Sequence, residues 1–231
     1  MNAKRENSKL SSLVLLFVLL FSFESCRDAK QKDAGQQQQK LPYIGMHDVE
    51  LVKEADGDFR TDSIYYTIPK FSFINQDSAV ISHHDYLGQI AVVDFFFSNC
   101  PSICPMLSAQ MVRVQESVKK EGLASNVKFL SHTVDPERDT PARLREYADL
   151  IGADLSNWNF VTGKAEDIYY QAETGYMLSA FPSDSAEGGF FHTDKIVLLD
   201  KQMHIRGLYD GTSTKSVDKL IADILVLNKE K

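Results

Sequence analysis

The sequence predicts an α/β domain in which a mixed sheet is flanked by helices, with a β-hairpin extension on its N-terminal side. Three observations carry this. Near-continuous apolar runs at 89–97, 127–134 and 195–200 have the composition of strands buried on both faces. Stretches of helical periodicity lie between and after them, at Met106–Lys120, Pro141–Ile151, Ala165–Thr174 and Ser216–Leu227. The chain's 231 residues, 43% hydrophobic and 25% charged, suffice for one domain with a sizeable core and an appended extension.

From the N-terminus, Lys4, Arg5 and Lys9 precede the apolar run Leu13–Phe21. About ten apolar residues suit a secretory leader and are too few to span a bilayer. Residues 1–25 therefore read as a signal peptide. Ser25-Cys26 resembles a bacterial lipoprotein cleavage site, at which Cys26 becomes the lipidated first residue. Ordinary secretory cleavage near Ser25 and an uncleaved anchor are the alternatives. Residues 26–40 are rich in Lys, Asp, Gln and Ala, end in a run of four Gln, and read as a flexible tether, because they hold too little apolar surface to order themselves. The domain proper covers 41–231, of which 41–70 form the extension: a hairpin turning at Asp56-Gly57-Asp58 and returning along Ser63–Ile68. That Asp-Gly-Asp run lacks the spacing and closing Glu of a calcium loop. The run at 195–200 pairs with Met203–Leu208 across a tight turn. Strand–helix–strand–helix followed by a hairpin and a terminal helix is the thioredoxin-like plan.

Charge narrows the partners. The chain carries a formal −7, and without residues 1–25 it keeps 22 basic against 30 acidic residues. An acidic body does not attract nucleic acid or anionic lipid, so a membrane is reached through the lipid anchor and not by surface charge. The leader and the anchor place the protein in the cell envelope, exported, on the periplasmic side. Beyond the membrane, disulfides are permitted. After Cys26 only Cys100 and Cys104 remain: too few for a disulfide scaffold, enough for a site.

Asn99-Cys100-Pro101-Ser102-Ile103-Cys104-Pro105 falls where the first buried strand meets the first long helix. Ligands gather at the carboxyl ends of strands in such sheets, and a helix N-terminus favours thiolate over thiol. If the turn is helical, two cysteines four apart lie on one face, about 6 Å apart along the axis. They can then converge on one soft metal ion or oxidise to a disulfide. The plainer reading is a buried structural pair or an inert disulfide. Thioredoxin-type catalysis uses two intervening residues; three change the sulfur geometry and open the site to metal. Two thiolates leave an ion under-coordinated, and Cu(I) with a Cys₂His set is the natural completion.

Six histidines are available. His47, His83, His84 and His204 lie in the extension, at the far end of the first strand or beside the terminal hairpin. His132 is near the carboxyl end of the second buried strand, and His192 follows Gly188-Gly189-Phe190-Phe191 at the mouth of the third. Position alone leaves both open, with His192 slightly ahead.

Asp94–Pro105 resembles the cysteine motif of the SCO/SenC family, Val134–Pro141 its second signature, and Phe191-His192-Thr193 before an apolar strand its third. The order and spacing also fit, from about Ile68 to the C-terminus. The resemblance implies a fold similar to thioredoxins and peroxiredoxins, and one copper ion per monomer, Cu(I) or Cu(II), on Cys100, Cys104 and His192. It implies assembly of the binuclear copper centre of cytochrome c oxidase, the partner being the copper-accepting subunit of a respiratory oxidase or another copper protein. His132 and Asp135 then become neighbours of the ligands. The family commonly has Asp before the ligand histidine, where this chain has Phe191; an acid orients an imidazole and Phe does not, so affinity and redox preference are expected to shift.

Two function classes follow. A copper-handling assembly factor passes its ion to a partner by ligand exchange and turns over no small molecule. A thiol–disulfide oxidoreductase uses Cys100 and Cys104 as its redox pair, with Cys100, nearer the helix N-terminus, as the attacking thiol. A peroxidase fits least, for want of separately placed peroxidatic and resolving cysteines. His192 discriminates the first two. In the second signature, Asp139 or Thr140 is expected to cap the next helix with Pro141 at its first position, and Arg138 to pair with a carboxylate or steer an acidic partner. Met106, Met111 and Met177 are expected to pack the core, Tyr169, Tyr170 and Tyr176 a helix edge, and Trp158 a buried loop.

Overall fold

The computed structural model describes residues 40–230 apart from 101, 102, 184, 187 and 188, with the backbone alone at residue 192. The leader, Cys26 and the tether up to residue 39 lie outside the described residues. Among the described residues no helix is long and apolar enough to cross a membrane.

The N-terminal hairpin pairs β1 (His47–Lys53) with β2 (Phe59–Tyr65). The returning strand starts earlier than expected, directly after the turn, and stops at Tyr65. Pairing zips from Lys53↔Phe59 to His47↔Tyr65, and the chain then leaves the ribbon to bury Ile68, whose N–H donates to Met203 O at 3.2 Å.

The main sheet has seven strands in the order β11-β10-β5-β6-β7-β3-β4. β5 (Ile90–Phe96), β6 (Val127–Thr133) and β7 (Trp158–Thr162) run parallel. β10 (Lys195–Leu199) lies antiparallel to β5, and β11 (Ile205–Asp210) to β10. β3 (Ser72–Asn75) and β4 (Val80–Ser82) complete the far edge. Every residue of β5 is buried, which is why its sequence is apolar without alternation.

The helices are α1 (Cys104–Lys120), α2 (Pro141–Ile151), α3 (Ala165–Tyr170) and α4 (Thr214–Lys229). Steps from β5 to β6 to β7 go one way across the sheet, so right-handed crossovers put α1 and α2 on one face. α4 joins them, with Arg113 Nη1 of α1 2.6 Å from Asp218 Oδ1. The opposite face is covered by α3 and a π-turn, Gln171–Gly175, which carry Ile168, Ala172 and Tyr176 into the core. The single helix expected over 165–174 thus changes to wider winding at Gln171.

Sequence expectation fails at several other places. Trp158 opens strand β7 and is 1% exposed, not part of a loop; its indole Nε1–H donates to Ser131 Oγ at 2.8 Å. β3, β4 and β7 have three to five residues each, too few for alternation to show. Met111 is in the core, whereas Met106 and Met177 are 48% and 41% exposed. Of the tyrosines, Tyr176 is fully buried and Tyr170 is exposed.

The segment entering the domain is strapped to the sheet edge. The buried Arg206 guanidinium donates to Leu41 O at 2.6 Å, to Pro42 O at 3.1 Å and to Glu230 Oε2 at 2.7 Å. Ile44 then bridges to Ile205.

Candidate metal centre

β5 delivers its last residues to the carboxyl edge of the sheet, where Phe97 stays buried and the Cys100 N–H donates to Phe97 O at 3.2 Å. Asp139, 1% exposed, pins this turn: its Oδ2 accepts from the Ser98 N–H at 3.1 Å, and its carboxylate also accepts from the Ser98 and Thr133 hydroxyls. Arg143 Nε donates to Ser98 Oγ at 3.2 Å. Asp139 therefore ties the cysteine turn to the end of β6. Thr140 is the cap of α2, accepting from Arg143 N, with Pro141 at the first position.

Cys100 itself lies outside the helix. α1 begins at Cys104, followed by Pro105, where a missing N–H leaves no partner wanting. Cys104, not Cys100, thus stands at the helix N-terminus. Both are thiols in this structure. Cys104 is 1% exposed and Cys100 9%, so Cys100 is the less deeply buried of the two. Burial pushes the Cys104 thiol up, and a hydrogen bond with Cys100 adds to this, while the Phe97 backbone pulls the other way. The two thiols thus influence one another's ionisation.

Asp94 lies on the same side of β5. Burial pushes its carboxyl up to about 7 against the hydrogen bond from Ser131 Oγ at 2.5 Å. Its charge is felt by Cys104 and by Tyr147 of α2. Nothing in the sequence motifs alone marks Asp94 or Asp139 as part of the site. The available signal was an acid inside a run as apolar as Val92–Phe97, because charged residues are rarely buried unless partnered.

His132 faces the other way. Its ring stacks on Phe95 with centroids 5.0 Å apart and meets Phe73 edge-on at 5.1 Å. Nε2 lies 3.3 Å from Tyr176 Oη, and Nδ1 has no hydrogen-bond partner. Burial drives its pKa down to about 3. It is a core residue of the face opposite Asp94 and Cys104. Asp135 is 3% exposed and accepts from Arg138 Nε, while its own N–H donates to Thr133 Oγ1 at 3.0 Å; it is occupied at the β6–α2 corner.

His192 is carried by a short hairpin, β8 (Ala180–Pro182) with β9 (Phe190–His192), in which Ala180 pairs with His192. Phe190 seats this hairpin, its ring 5.6 Å from Phe97 and 5.8 Å from the Arg138 guanidinium carbon. An open pocket beside the cysteine turn is lined by Ile103, by Met177, Leu178 and Ser179, and by Phe191, Thr193 and Asp194. Ile103, the last of the three residues between the cysteines, and the residues on either side of His192 thus share one cavity. Asp194 is paired with Lys195 at 2.8 Å, and Phe191 stacks on Phe181 at 5.2 Å. Among the described side chains no three His, Cys, Asp or Glu lie close enough together to hold a metal ion.

Two thiols at the end of the central strand, with a helix starting on the second of them, make this a thioredoxin-like dithiol protein with three residues between the sulfurs. The chain belongs to the SCO1/SenC family, whose model matches residues 61–227. A SCO1/SenC family lipoprotein from Bacillus anthracis is 31% identical with a TM-score of 0.65, over 71% of this chain and 96% of that one. BsSco, described as a member of the Sco family of cytochrome c oxidase assembly proteins that has a disulfide switch, is 28% identical with a TM-score of 0.65, over 72% of this chain and 95% of that one. Bradyrhizobium japonicum ScoI, solved with copper bound, shares the fold at 21% identity and a TM-score of 0.58, over 70% of this chain and 99% of that one.

Proposed function

We propose that this chain is a copper-binding assembly factor that holds one copper ion on Cys100, Cys104 and His192 and passes it to the copper-accepting subunit of a respiratory oxidase. The observation that carries the reading is the pocket that Ile103, the residue before Cys104, shares with the neighbours of His192, beside two buried thiols. Thiolate and imidazole together select a soft ion such as Cu(I). BsSco belongs to a family of oxidase assembly proteins and ScoI was solved with copper, which supports the cargo and the partner. Binding releases the thiol protons, since only thiolate ligates; release follows as partner thiolates form bonds to the ion and the bonds to Cys100 and Cys104 break. In this reading the chain is exported by residues 1–25 and anchored through lipidated Cys26 on the periplasmic side, as the lipoprotein relative supports.

A second reading, reduction of a partner's disulfide, is favoured by the asymmetry of the pair. The more exposed Cys100 would attack, and buried Cys104 would resolve the mixed disulfide.

Anaerobic titration of the reduced protein with Cu(I) against a competing chelator separates the two. Copper handling predicts one tight equivalent, lost in Cys100→Ser and Cys104→Ser and weakened in His192→Ala. Tight binding indifferent to all three substitutions sinks it. Disulfide reduction that survives His192→Ala, with weak copper binding, selects the second reading.

A further inference from the structure

Met177 shares a left-handed backbone with Met203 but differs from it in exposure, 41% against 2%. Its φ is +59°, a conformation uncommon for any side chain but glycine and worth about 1 kcal/mol or more of strain. The surroundings enforce it. Tyr66 Oη donates to Thr174 O and, at 3.2 Å, to Gly175 O. The Tyr176 N–H donates to Gln171 O at 3.0 Å and the Leu178 N–H to Ala172 O at 2.9 Å. Tyr176 and Leu178 on either side are buried, yet Met177 itself is 41% exposed. Its terminal methyl is seated at Gly45, where a Cβ would lie 2.8 Å from it, and the same side chain lines the pocket with Ile103, Phe191 and Thr193. The sulfur is one bond from that anchored methyl.

A thioether is a soft, neutral ligand that suits Cu(I) and not hard cations. We propose that Met177 is an entry and exit ligand for Cu(I), holding the ion at the pocket while the cysteine ligands are exchanged. This rests on the copper reading above. In the exchange a partner thiolate forms a bond to Cu(I) and the bond to Cys100 Sγ breaks. The bond to Met177 Sδ forms as the bond to His192 breaks, so the ion stays three-coordinate until the second partner thiolate displaces Cys104, and the bond to Met177 breaks last as the ion leaves on the two partner sulfurs. Copper stays monovalent, no electron moves, and the two released thiolates take protons from water. A thioether carries no proton of its own, so this relay adds none to the exchange.

The test is stopped-flow transfer of Cu(I) from the loaded full chain to an excess of competing chelator, in wild type, Met177→Leu and Met177→Gly. Leu keeps the volume and loses the sulfur; Gly loses the sulfur and relieves the positive φ, so it remains informative should Leu fail to fold. Both variants are expected to transfer about tenfold more slowly, with equilibrium affinity unchanged. Met177→Leu transferring like wild type overturns the proposal and leaves the copper reading standing. A slow Leu variant beside a fast Gly variant assigns the effect to packing and also overturns it. A wild-type protein that binds no Cu(I) overturns both.

Discussion

The ends of β6 and β9 each carry a histidine, and the fold treats them in opposite ways. His132 is stacked on Phe95 and boxed by Phe73 and Tyr176, fully buried, with one ring nitrogen unpartnered. His192 ends a three-residue strand whose neighbours Phe181 and Phe191 are half exposed and whose flanking residues line the pocket of Ile103. An interior strand fixes a side chain by denying it access. A short hairpin laid over the sheet edge gives up packing and gains a surface where a ligand can arrive. In the same way the interior holds Asp94 and Asp139, while the proposed ligand exchange belongs to the rim.

Perturbing the interior should act on stability first. Asp139→Ala removes the acceptor of two hydroxyls and one N–H, leaving the Ser98 and Thr133 donors to find new partners. A loss of about 3 kcal/mol is expected, lowering Tm by about 10 °C for a domain of this size. An unchanged melting curve would show that the turn is held by something else.

The two buried titratable groups on the opposite faces of β5 and β6 should pull stability in opposite directions. His132 is lowered from 6.5 to about 3, so the unfolded chain binds its proton more readily and stability is lost as pH falls below 6.5. Asp94 is raised from 3.8 to about 7, so the folded chain holds the proton and stability is lost as pH rises from 3.8 through 7. Each contributes up to about 1.4 kcal/mol per pH unit, and between 3.8 and 6.5 the two offset. Asp94→Asn should therefore expose the His132 limb, stability falling on acidification from pH 6.5 to 4. His132→Phe should expose the Asp94 limb, stability rising over that same range. Denaturant melts across this window check both slopes; parallel profiles would contradict the assignment.

At the rim the effect should move from stability to binding. His192→Ala should weaken Cu(I) affinity by about tenfold or more and leave the melting curve near wild type. His132→Phe should leave Cu(I) affinity unchanged. The smallest effect belongs to Phe190→Ala. Its contacts with Phe97 and Arg138 are worth about 1 kcal/mol, so faster amide exchange confined to residues 180–192 is expected. Acceleration spread over β5 and β6 would mean that the hairpin and core are not separable.

Much of this layout is legible in the residues. β5, β6 and β10 are apolar enough that burial on both faces shows directly, and α2 matches its expected bounds because Thr140, Pro141 and Gly152 mark its ends. The cysteine turn is legible because chemistry and topology coincide at residue 100. What escapes is whatever depends on tertiary contact. β7 looks like a loop because Trp158 is read in isolation, although its indole is spent on Ser131. Tyr176 looks like a helix edge until the π-turn rotates it beneath His132. Met177 looks like core until Gly45 and Tyr66 are seen to place it. Asp139 looks like a helix cap because nothing local says that Ser98 will come to it.

In the copper reading the third ligand belongs to the rim and not to the interior. X-ray absorption of the Cu(I)-loaded protein should find two sulfur scatterers and one imidazole nitrogen in wild type and in His132→Phe, with the nitrogen lost in His192→Ala. An imidazole signal that survives His192→Ala, or disappears in His132→Phe, would contradict it.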